Sequence, residues 1–124
     1  MALCRFPATD PIPPWTAATR TFLTISRTPT ELSIVADEAA VPTDVEAERG
    51  YRILRVEGPL PLNLVGVFAR MAGPLAEAGV PILPIGTYET DYILLSEHVV
   101  ARAIAVLRDA GHIVRDAPGD STAP

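Results

Sequence analysis

The residues able to do chemistry in this chain are few, and their spacing decides what they can do. His98 and His112 have no acid or cysteine at metal-ligand spacing around them, so each reads as a solvated side chain rather than a ligand or a base. Ser26, Ser33 and Ser96 lack a Gly-x-Ser-x-Gly setting and an evident base, which leaves no nucleophilic triad. Cys4 is the sole cysteine and excludes an internal disulfide and a Cys-rich zinc site; it reads as a half-buried strand residue. All ten basic residues are arginine, and the absence of lysine removes Schiff-base and P-loop lysine chemistry. Glu46, Glu48 and Glu57 read as solvent-facing charge. Asp91 stands out by position, at the end of Thr87-Tyr88-Glu89-Thr90, where an acid ordinarily bonds local amides. An enzyme pairing Asp91 with His112 is the least favoured reading; no catalytic residue, cofactor or metal is expected.

The elements that must position these residues follow from the apolar pattern. The chain has 124 residues, 48% apolar and 20% charged, the balance of a soluble globular protein with room for one compact domain or two small modules. A net charge of −5 with scattered arginines opposes nucleic-acid binding. No apolar run reaches the ~20 residues of a membrane span, and the first residues lack a secretory pattern, so a cytoplasmic location is the expectation.

Strands are predicted at Leu3 to Phe6, Thr21 to Ser26, Glu31 to Ala36 and Tyr51 to Glu57, with a short helix from Pro14. Thr43 or Asp44 caps a single helical turn ending at Gly50. Asn63 caps a longer helix carrying Leu64, Val67, Phe68, Met71 and Leu75, with a kink or break expected at Gly73-Pro74 and an end at Gly79. Val80 to Ile85 is the next strand, placed at a sheet edge by Pro81 and Pro84. A hairpin turn over 87–90 leads into the interior strand Asp91 to Leu95. Ser96 caps a second helix ending at Gly111, and His112 to Arg115 is a last short strand. The order from Tyr51 to Arg115 is β-α-β-β-α-β, an α+β, ferredoxin-like arrangement whose crossovers put the first and third strands in the middle of the sheet.

A shift of 60 residues lays Ile25 on Ile85, Thr30 on Thr90 and Glu31 on Asp91, which points to a diverged duplication. The chain divides accordingly into an abbreviated N-terminal module with its connector over 1–50, a complete module over 51–117 and a disordered tail over 118–124. In the abbreviated copy the first helix is short and little room is left for the last helix and strand.

Three stretches carry a family resemblance: Glu57-Gly58-Pro59-Leu60, Ala72-Gly73-Pro74-Leu75-Ala76-Glu77-Ala78-Gly79, and Thr87-Tyr88-Glu89-Thr90-Asp91-Tyr92-Ile93-Leu94. They resemble small bacterial tandem ACT-domain proteins and the related CASTOR arginine sensors of animals. Thr28 to Val35 resembles the half-module that precedes the ACT domain there, so the first module is expected to be ACT-like. The resemblance implies a non-catalytic regulatory protein that binds an amino acid or similar small metabolite at an interface between modules, as a homodimer, with a protein partner as a further expectation. It implies ligand contacts at Leu64, Val65 and Gly66, at Pro81 and Ile82, and at Asp91, with Thr87 and Tyr88 lining the same interface. Where the arginine sensor has an acidic contact this chain has Leu64, which speaks against arginine. The alternative is a structural or partner-binding ACT module that has lost its pocket, favoured by the apolar Leu64 and Pro81.

Overall fold

Two strand-rich units, Met1–Tyr51 and the chain from Arg52 onward, make up the fold. The structure, a computed structural model, describes residues 1–115. The tail expected to be disordered, 118–124, lies outside the described residues.

In the first unit, strands β1 (Ala2–Phe6), β2 (Thr24–Arg27), β3 (Leu32–Ala36) and β4 (Ala47–Glu48) form an antiparallel sheet in the order β2-β3-β1-β4. The register pairs Ala2 with Ala36, Cys4 with Ile34 and Phe6 with Leu32, so the period-2 inward residues of β1 and β3 lie directly opposite one another. Ala2, Cys4, Leu32, Ile34, Ala36 and Val41 are its buried core, and the Phe6 and Trp15 rings meet at its margin with centroids 6.3 Å apart. Cys4 is therefore fully buried rather than half-buried, and that burial pushes its thiol pKa up against an opposing pull from Arg49.

This strand order is that of a whole ferredoxin-like unit with its helices reduced to single turns, Pro14–Ala18 before β2 and Glu38–Ala40 before β4. The last strand is thus present in the first unit, although the sequence left little room for it. The helical turn expected over residues 45–49 is absent; that segment carries β4, whose Ala47 pairs with Cys4 and Glu48 with Leu3. Pro42 explains the short second turn, because the residue before a proline avoids the helical region, and Val41 is extended at φ −83° and ψ 121°.

The second unit contains β5 (Tyr51–Arg55, all but its first residue), α1 (Val67–Glu77), β6 (Leu83–Gly86), β7 (Asp91–Ser96) and α2 (Val100–Asp109), with a three-stranded sheet in the order β5-β7-β6. The proline-bearing β6 is at the edge and β7 is interior, as the sequence indicated. Met71 and Leu75 of α1 and Val100, Ala103 and Leu107 of α2 bury against Leu54, Val80, Ile93 and Leu95. The expected last strand is not formed. Residues 112–115 run as irregular chain, Ile113 is exposed, and Arg108 holds the Val114 carbonyl at 2.8 Å, so β5 lies at an edge of its sheet and not in the middle.

Both helices stop by the same device. Gly79 (φ 71°) and Gly111 (φ 95°) take the left-handed conformation, and the two amides after each helix return to its last carbonyls: Gly79 to Ala76, Val80 to Leu75, Gly111 to Arg108, and His112 to Leu107. Neither the expected break nor the expected cap in α1 is observed. The helix continues through Gly73 and Pro74 to Glu77, and it begins at Val67 after Gly66 rather than after Asn63. Leu64 thus belongs to the preceding loop. Gly66 has φ 82°, a conformation that favours glycine and is incompatible with a longer helix.

The repeat is present in the two hairpins, one residue out of the expected register. Thr28 N–H donates to the Glu31 carbonyl, and Thr87 N–H donates to that of Thr90, each at 2.9 Å. Thr28 corresponds to Thr87, Ile34 to Ile93 and Glu38 to Glu97, a shift of 59. Asp37 and Ser96, equivalent under it, each precede a short 3-10 turn, Glu38–Ala40 and Glu97–Val99.

Candidate functional site

The site candidate is built on the β6–β7 turn. Thr87 closes it twice, its N–H and its hydroxyl both donating to the Thr90 carbonyl, at 2.9 and 3.0 Å. Such side-chain closure is why a four-residue turn holds here without glycine. Gly86 and Asp91 are the first pair of the ladder beyond it.

Three bonds then fasten the chain leaving β5 to this turn. Val56 N–H donates to the Asp91 carbonyl (2.9 Å), Leu60 N–H to the Glu89 carbonyl (2.7 Å), and the Thr90 hydroxyl to the Val56 carbonyl (2.6 Å). Thr90 is buried, so its hydroxyl needs a partner, and Val56 supplies it. Gly58 lies where the strands of this lacing cross: a Cβ there would come within 3.0 Å of Thr90 Cβ and 3.1 Å of the Glu89 carbonyl oxygen.

Beyond Leu60 the chain turns through Pro61 to Leu64, with Leu64 N–H on the Pro61 carbonyl, and enters α1 at Gly66. Loop, helix start and hairpin turn enclose a half-open hollow of about 370 Å³. The size is within the range of small-molecule sites. Its wall on the loop side is apolar, from Leu60, Leu62 and Leu64, with Phe68 from α1. On the hairpin side are Thr87, Tyr88, Glu89, Thr90 and Asp91. Val67, Phe68 and Ala69 bring the first amides of α1, which no capping side chain serves. Among the described residues the Asp91 carboxylate has no hydrogen-bonding or ion-pair partner, and no basic side chain lines the hollow. A carboxylate and free helix-start amides on one hollow, with leucines beside them, suit a small zwitterion.

Of the residues singled out from the sequence, Leu64, Gly66, Thr87, Tyr88 and Asp91 come together on this hollow, whereas Val65, Pro81 and Ile82 do not line it. Val65 is almost fully exposed in the loop, Pro81 is exposed, and Ile82 packs against the core. Leu60, Leu62, Phe68 and Glu89 also line it. The nearness of Leu60 and Leu62 to Glu89 depends on the path of the 56–64 loop, which no local sequence pattern specifies. Neither histidine takes part: His98 is exposed, and the His112 ring is engaged by the Arg70 carbonyl. No group of three His, Cys, Asp or Glu residues that could hold a metal occurs among the described residues.

A sequence profile described as the ACT domain matches residues 46–109, and a second, described only as an N-terminal domain, matches residues 1–44. No curated protein matches the chain. A crystal structure of a protein from Agrobacterium tumefaciens is similar at a TM-score of 0.82 and 29% identity, over 90% of this chain and 82% of that one. Another, from Vibrio cholerae, described as a protein of unknown function and possible transport protein, shares the fold at a TM-score of 0.68 and 20% identity, over 90% and 83% of the two chains. The first profile spans more than half of the chain and takes in β5 through α2, the elements that enclose the hollow, so this protein belongs to the ACT-domain family.

Proposed function

We propose that the protein is a non-catalytic regulatory module of the cytoplasm that binds an amino acid or similar small metabolite in the hollow between residues 60–69 and 87–91. The observation that carries this is that two unused sets of groups border one hollow, the uncapped first amides of α1 and the unpartnered Asp91 carboxylate. A ligand carboxylate fits the former and a ligand ammonium the latter. The hollow is half-open, and a second copy of the chain completes it in this reading, making the binding form a homodimer. The N-terminal 1–50 stretch is in the same reading an ACT-like duplicate, and the likeness to the CASTOR sensors rests on the 87–94 motif. No helix among the described residues is long and apolar enough to cross a membrane.

The test is thermal unfolding of the native protein and of Asp91→Ala in the presence of each of the twenty amino acids. At least one is expected to raise the midpoint of the native protein by several degrees and that of the variant by less, since ligand at ~100 times its Kd adds about 2.7 kcal/mol to stability. No stabilising ligand, or equal shifts in both proteins, overturns the proposal. A second reading, a structural or partner-binding module without a ligand, is favoured by the exposure of Val65, outside the hollow, and of Tyr88 at its rim. A stable protein complex that forms without any small molecule and is lost on Val65→Asp supports it.

A further inference from the structure

We infer that the ligand of the hollow is an α-amino acid with an aliphatic side chain; this rests on the reading above and names its ligand class. The apolar wall carries the inference. Leu62 and Leu64 are 73% and 49% exposed, beside Leu60 and Phe68 on the same hollow. Apolar surface left in water costs roughly 25 cal/mol per Å², and a branched hydrocarbon chain laid along these side chains recovers that cost while a polar one does not.

The charges point the same way. The lining holds the acids Glu89 and Asp91 and no base, so an acidic ligand side chain would meet only like charge. Glu89 is on the exposed part of the turn beside Tyr88, where water solvates it, whereas Asp91 is half-buried at the Gly86–Asp91 pair. There is thus one half-buried carboxylate, for the α-ammonium, and a second cation on the ligand would have only the solvated Glu89 to pair with, a weak exposed pairing. The α-carboxylate has no cationic partner in the lining and falls to the first amides of α1. A ligand with one ammonium, one carboxylate and an aliphatic remainder uses the Asp91 carboxylate, the first amides of α1 and the leucine wall together.

Calorimetric titration of the full chain tests this with L-leucine, L-arginine and L-glutamate, and with two leucine analogues, 3-methylbutylamine lacking the carboxylate and 4-methylpentanoate lacking the ammonium. Leucine is expected to bind at least tenfold tighter than the other four compounds. Leu64→Ser, a substitution at a half-exposed loop position, is expected to weaken leucine at least threefold without moving the ligand-free unfolding temperature. Tightest binding of arginine or glutamate, or unaltered leucine binding by Leu64→Ser, overturns the inference. If a polar amino acid binds and Asp91→Ala abolishes it, only the aliphatic class falls; if none of the twenty binds, the proposed function falls with it.

Discussion

The His112 imidazole is bonded through Nε2 to the carbonyl oxygen of Arg70, 3.0 Å away, and Arg70 is the residue four positions before Pro74. In an unbroken helix that carbonyl would accept from residue 74, but proline has no N–H. A carbonyl oxygen only accepts, so Nε2 carries a proton here. The histidine thus replaces a helical hydrogen bond from outside the helix. Its position follows from the Gly111 turn, which delivers His112 beside α1.

His112 and Pro74 are therefore expected to be energetically coupled through the Arg70 carbonyl. His112→Ala is expected to cost about 0.5–1.5 kcal/mol, towards the low end because water reaches the site. In a Pro74→Ala background, where the backbone again supplies an N–H to Arg70, the same change is expected to cost less. Urea unfolding of the two single variants and the double variant gives the coupling; strict additivity contradicts it.

Asp37 secures the first unit in a comparable way and makes its stability depend on pH. Its carboxylate accepts the amides of Arg20 (2.7 Å), Thr21 (2.9 Å) and Phe22 (3.3 Å). Burial pushes its pKa up, but these three donors and the amino terminus outweigh that, and the folded value lies below the ordinary 3.8. A depressed folded pKa means that this stabilisation is complete above the unfolded value and is lost as pH falls through the folded one. Native protein should lose stability faster than Asp37→Asn as pH falls below the ordinary carboxylate value; parallel pH profiles of the urea midpoint would contradict this.

The turn beside the hollow gives a third expectation. Thr90→Val keeps the shape but leaves the Val56 carbonyl without its partner, at a cost of about 1–3 kcal/mol, and Thr90→Ser should recover most of it. Equal losses in the two variants, read by urea unfolding, would show that packing rather than the hydroxyl matters.

Two glycines should respond in opposite directions to alanine. Gly58→Ala forces a Cβ against the Glu89 backbone and should destabilise the protein by more than 1 kcal/mol on the scale of core overpacking. Gly73→Ala, within α1 and with nothing within 4 Å of the added atom, should stabilise it by up to about 1 kcal/mol. Melting temperatures of the two variants check the sign of each.

How far the sequence could be read depended on whether a signal was local. The edge position of β6 was legible because proline restricts a strand wherever it stands, and both helix ends were legible because Gly79 and Gly111 have one common use there. The last strand was misread because His112 to Arg115 has a strand composition, yet strand formation depends on a partner, and Arg108 binds a carbonyl of that segment instead. The repeat was found one residue off because matching letters at Ile25 and Ile85 outweighed the shared hydroxyl role of Thr28 and Thr87. The α1 start was misplaced because Asn63 is a good cap by type, whereas Gly66 fixes the start through a dihedral angle that composition does not display. Around the hollow, Leu64, Gly66, Thr87, Tyr88 and Asp91 were named from the sequence, but the contribution of Leu60 and Glu89 depends on a loop path that no local pattern specifies.

The closure of the 87–90 turn by its two threonines has a practical consequence. With Thr87 and Thr90 holding the backbone, the residue at position 88 is free in chemical identity, and Tyr88 is 82% exposed while lining the hollow. Trp15 is the chain's sole tryptophan, so Trp15→Phe combined with Tyr88→Trp would install a single fluorophore at the rim. Its emission would report occupancy of that space directly, turning the protein into its own optical gauge.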